Sequence, residues 1–106
     1  MDIKKAQTLV YDHLKKIGYT DIETSSAHAF LHLIEEIGEL SRSLLHKDTN
    51  RDSLPYTTEP SNVEDEIADV FWQTLKLASY LDVDLEQCFI NKFEKNKLKS
   101  VNKSEV

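Results

Sequence analysis

Two short stretches hold the residues best suited to chemistry. Residues 32–40 read HLIEEIGEL and residues 64–72 read EDEIADVFW. Each sets two carboxylates three residues apart among aliphatic side chains: Glu36 with Glu39, and Glu66 with Asp69. On a helix, side chains turn by about 100° per residue, so residues three apart share a face. With Glu36 at the origin, Ala29, Leu40, Leu33, Leu44, Ile37, Phe30 and Ile34 fill one arc, and Glu39 sits about 60° to the other side. The stretch around Glu66 draws the same diagram. Leu77, Val70, Leu81, Ile67, Ala78, Phe71 and Leu75 form the arc, and Asp69 takes the place of Glu39.

In a chain with 19 acidic residues, a carboxylate pair on a helix arises readily on a solvated face. Glu64 and Asp65 fit a plainer account, because they fall in the first turn of a helix, where the macrodipole favours anions. That account covers Glu66 in part, Asp69 poorly, and Glu36 and Glu39 not at all, since the last two lie mid-helix. If the two stripes pack together, four carboxylates converge at a half-buried border. Like charges so placed raise one another's pKa and destabilise the fold unless a cation neutralises them. All-oxygen ligation without cysteine suits a hard divalent ion, Mg²⁺ or Mn²⁺. His28 and His32 lie four apart, and His32 can share a face with Glu35 and Glu39, a geometry open to a transition metal. A di-iron carboxylate bundle needs Glu-x-x-His on two helices. The chain has no Glu-x-x-His, so both histidines read as solvated or hydrogen-bonded.

The elements that must position these groups are helical. A first helix is predicted from about Ile3 to Ile17, with Gly18 at its C-terminus. A second runs from about Ser25 to His46, started by the Thr/Ser cluster at 24–26. Residues 48–61, DTNRDSLPYTTEPS, hold both prolines and many turn formers and form a loop, long enough to suggest a lid or partner contact. Ser61 and Glu64 make a capping-box pattern for a third helix, which reaches about Leu81. Asp84 with Gln87 opens a fourth, with Val83 stapling against Cys88, and this helix ends near Lys99. Residues 101–106 are expected to fray.

The whole chain agrees with an all-α reading. Its 106 residues make one domain, 40% hydrophobic and 30% charged, with only two glycines and two prolines to punctuate strands. Net charge of −6 argues against nucleic acid or anionic membrane as partner, since both call for a basic footprint. No apolar run is long enough for a membrane span, and the polar N-terminus has no signal-peptide core. The single Cys88 cannot form an internal disulfide and reads as a small buried hydrophobe, and the expected compartment is the cytoplasm. Against the acidic average, Lys92, Lys95, Lys97, Lys99 and Lys103 crowd the C-terminal end, suited to a small polyanion.

Taken in order, EEIGEL, EDEIADVFW and LASYLDVDLEQCFINKFEKNKLKS resemble the paired ExxE and ExxD motifs and last helix of the MazG-like nucleoside triphosphate pyrophosphohydrolases. The resemblance spans about residues 25–100. It implies a four-helix all-α protomer that forms a helical-bundle homodimer, or a dimer of dimers. It also implies hydrolysis of nucleoside or deoxynucleoside triphosphates to monophosphate and pyrophosphate. By the same resemblance Glu36, Glu39, Glu66 and Asp69 are Mg²⁺ ligands, and Glu35 orients or deprotonates the attacking water. Lys92, Asn96 and Lys99 then face phosphates and sugar. Lys99 stands where relatives often carry arginine, and lacks the planar fork that grips phosphate bidentately. Two other readings accompany this one: a phosphoribosyl-ATP pyrophosphatase within the same superfamily, and a non-catalytic helical dimerisation module whose acidic edge meets a basic partner.

Overall fold

The computed structural model describes residues 1–18, 25–49 and 62–104, of which 46–49 and 101–104 as backbone alone. These residues form four α-helices and no strand: α1 (Ile3–Lys16), α2 (Ser26–Thr49), α3 (Val63–Tyr80) and α4 (Leu85–Ser104). Residues 50–61, most of the expected loop, lie outside the described residues, as do Thr24 and Ser61.

Side chains flanking each helix satisfy the first backbone N–H groups, which have no partner within the helix. The Asp2 carboxylate accepts from the Lys5 N–H at 2.7 Å, and Ser25 Oγ from the His28 N–H at 3.1 Å. Gly18 follows α1 at φ +86°, the left-handed conformation that suits glycine there. The cap of α3 differs from the expected Ser61–Glu64 box. Asn62 is the capping residue, and its Oδ1 accepts from the N–H groups of Glu64 and Asp65 at 3.0 and 3.3 Å. Asp84 caps α4 through the Gln87 N–H at 3.2 Å, while the Gln87 side chain donates to Asn91 instead of reaching back. The helix then continues to Ser104, past the expected end near Lys99.

The small core lies where α1 crosses α3. Val10, Leu14 and Leu75 are buried there, with Ile3, Ala6, Tyr80 and Leu85 packed around them. Between α3 and α4 the chain reverses in a helix-terminating turn. Asp82 takes φ +55°, and the N–H groups of Val83 and Asp82 donate to Ala78 and Ser79 at 2.9 and 3.2 Å. Gln7 ties α1 to this turn, its amide donating to the Val83 carbonyl at 2.7 Å and its Oε1 accepting from the Leu85 N–H at 3.3 Å.

α2 packs chiefly against α3. Its buried and half-buried positions include Ala29, Leu33, Glu36, Leu40 and Ser43, an alternation of four and three that winds one seam along the helix. The seam therefore runs through Glu36, and on α3 through the half-buried Glu66. This corrects the expected placement of the carboxylates on the rim of buried apolar arcs. Much of each arc is outside: Phe30, Ile34, Ile37, Ile67 and Phe71 are between 44 and 54% exposed. α4 rests mainly on α1, and from Gln87 to Ser100 every residue is exposed. Cys88 is exposed with them, contrary to its reading as a buried hydrophobe, because nothing among the described residues covers that face. No described helix is long and apolar enough to cross a membrane.

Candidate metal centre

Because the α2–α3 seam passes through Glu36 and Glu66, two carboxylates from different helices meet in it, and Glu39 joins them one turn along α2. One carboxylate oxygen from each of Glu36, Glu39 and Glu66 lies within 4.8 Å of the other two. Among the described residues Glu36 Oε2 and Glu66 Oε2 are buried without a hydrogen-bond partner. A buried acceptor left unpaired is costly, and in a native site it marks an interaction still to be made.

Electrostatics agree with the geometry. Desolvation by burial, followed by the charges of Glu39 and Asp69, pushes the Glu36 carboxyl up to about 7. Glu66 is raised as well, by burial first and then by Glu39 and Asp69. A site that holds carboxylates against their tendency to ionise together is one that a cation stabilises. The donor set is all oxygen, three carboxylates with water able to complete the shell, which fits a hard divalent ion such as Mg²⁺.

Asp69 belongs to the site at its rim. It is exposed and outside the tight triad, yet close enough to raise both Glu36 and Glu66. Glu35 is exposed on α2 beside the site. Lys92, Asn96 and Lys99 are also exposed, on α4 beyond its contact with α1, and among the described residues they are not gathered around the carboxylates. His28 is exposed, and His32 turns to Lys76 on α3, with Nδ1 3.1 Å from Nζ. Neither histidine joins the triad, in keeping with the hydrogen-bonded or solvated reading.

Two seam residues were not singled out from sequence. Lys76 is only 5% exposed, and Gln73 has a buried Oε1 without a partner among the described residues. Both follow Glu66 at intervals of seven and ten, which keeps them on its face of α3. That spacing is the signal that could have found them.

The family model described as the MazG nucleotide pyrophosphohydrolase domain matches residues 24–101, most of the chain. No curated protein and no solved structure matches the chain.

Proposed function

From the chain's membership of the MazG nucleotide pyrophosphohydrolase family, we propose that it hydrolyses nucleoside or deoxynucleoside triphosphates to the monophosphate and pyrophosphate, clearing the nucleotide pool of the cytoplasm. The observation that carries this reading is the convergence of Glu36, Glu39 and Glu66 from two helices, with buried oxygens of Glu36 and Glu66 unpartnered among the described residues.

Cleavage between the α- and β-phosphates asks for charge neutralisation and an oriented water, and little covalent chemistry from the protein. Mg²⁺ (or Mn²⁺) would be held by Glu36, Glu39 and Glu66, with Asp69 at the rim, and when bound supplies charge neutralisation and a more acidic water. Glu35, beside the ligands and open to solvent, would orient or deprotonate the attacking water. The substrate is bound from its phosphate side by Lys92, Asn96 and Lys99.

These last residues act from a second copy of the chain. α4 carries an apolar face of Phe89, Ile90 and Phe93 in addition to its lysines, and all three are exposed. α2 and α3 carry the exposed Phe30, Ile34, Ile67 and Phe71 beside the acidic centre. Uncovered apolar surface of this extent is uncommon on a monomer. A homodimer that covers it, alone or doubled into a dimer of dimers, brings a basic helix toward an acidic site, so that shape and charge are met together.

Incubation with Mg²⁺ and a triphosphate labelled at the α-phosphorus tests the reaction. Labelled monophosphate and pyrophosphate should form in one step. Accumulation of labelled diphosphate would show cleavage at the γ-position and overturn the proposal. Turnover of phosphoribosyl-ATP in preference to ordinary and modified triphosphates would move the chain to the alternative pyrophosphatase.

A further inference from the structure

A lysine in a helix–helix seam is out of place on hydrophobic grounds, since a leucine or methionine would fill the same volume without burying a charge. Lys76 is 5% exposed, and its Nζ lies 3.1 Å from Nδ1 of His32 on the opposite helix. With Lys76 as an ammonium, which donates and does not accept, Nδ1 would be the acceptor and His32 would carry its proton on Nε2. Apolar contacts are non-directional and survive a slip of one helix along another. A hydrogen bond does not, because it demands distance and angle together.

We propose that Lys76 and His32 are positioning residues that lock the register of α2 against α3, so that Glu36, Glu39 and Glu66 converge on one cation. The hydrogen bond ties the α2 turn that precedes Glu36 to the face of α3 that carries Glu66. A slip of one turn moves a helix by about 5.4 Å. That exceeds the 4.8 Å within which the three carboxylates lie. The lock thus specifies the one register in which the site exists, and its role rests on the metal-dependent reading above.

The test compares Mn²⁺ affinity, read by paramagnetic resonance on the purified full chain, with thermal stability and triphosphate turnover. Lys76→Met keeps the buried stem and removes the donor, and His32→Leu removes the acceptor. Each should weaken Mn²⁺ binding by roughly tenfold or more in a chain that stays folded, and His32→Leu, which leaves Lys76 buried without this acceptor, should also melt lower than the unmodified chain. His32→Asn keeps an acceptor oxygen and should recover most of the affinity. The double variant Lys76→Met/His32→Leu should be no worse than either single one. Mn²⁺ affinity within twofold of the unmodified chain in both single variants overturns the proposal. So does an asparagine variant as weak as the leucine one. If Lys76→Met does not fold, the His32 pair decides alone. An unmodified chain that binds Mn²⁺ but turns over no triphosphate would refute the proposed function and leave the register lock standing.

Discussion

Glu36 and Glu66 meet across the α2–α3 seam, and each keeps one oxygen buried without a hydrogen-bond partner among the described residues. Burial and the surrounding carboxylates both oppose ionisation.

Neutral isosteres should therefore separate stability from function. Glu36→Gln and Glu66→Gln are expected to melt at or above the temperature of the unmodified chain in the absence of metal, since like-charge repulsion is relieved. The same variants should gain little stability from millimolar Mg²⁺, whereas the unmodified chain should gain it by mass action. Thermal melts with and without Mg²⁺ read both effects. Variants that unfold outright would mark these residues as structural.

The raised Glu36 carboxyl also fixes the sign of a pH dependence. A carboxyl near 7 in the folded chain, against an ordinary value of 4.5, binds more protons when folded. Folding stability then falls as pH rises from about 4.5 to 7 and levels off above, which is the reverse of the usual salt-bridged acid. Metal affinity should move oppositely, rising with pH up to about 7 as the ligands deprotonate. Metal-free melts across this range should show the decline, and Glu36→Gln should flatten it.

Gln7 clamps the turn that launches α4, through the Val83 carbonyl and the Leu85 N–H. Gln7→Ala should cost about 1–2 kcal/mol for two partly buried hydrogen bonds. It should also speed amide exchange over 83–88, near the start of α4, with little change in α2. Exchange mapped by mass spectrometry distinguishes this local loosening from global destabilisation.

A basic helix acting from the partner copy predicts complementation. Lys92→Ala and Glu36→Ala should each lose most turnover as pure preparations, the first by roughly ten- to a thousandfold in kcat/KM. Mixing the two and letting subunits exchange should restore activity, because one site of the heterodimer then has intact carboxylates and an intact α4. No recovery, under conditions in which sedimentation shows mixed dimers, would place α4 in its own chain's site. A well-folded monomer at micromolar concentration would remove the basis of the arrangement.

Much of this was readable from local chemistry. The helical periods, Gly18 beyond α1, the Asp84 cap and the two spaced acidic pairs depend on interactions within a few residues, and a single strand of text contains them. The Asn62 cap escaped because Ser61 and Asn62 are adjacent residues with the same capping chemistry, and only backbone geometry chooses between them.

What sequence could not decide was which sector of each helix turns inward. A helical wheel relates Glu36 to Leu33 and Ile37 by angle, but it does not say where the partner helix lies. The tertiary structure rotated the seam through Ala29, Leu33, Glu36, Leu40 and Ser43, which buried carboxylate oxygens and left Phe30 and Ile34 outside. Hydrophobic burial alone would have chosen the opposite rotation within one chain. The apolar arcs and α4 stay exposed among the described residues, whereas Lys76 and His32 make sense only once α2 and α3 are set side by side. Residue types determined the chemistry available to this protein. Packing between helices decided which of those residues share a site, because proximity across a seam depends on rotation and register that no single helix encodes.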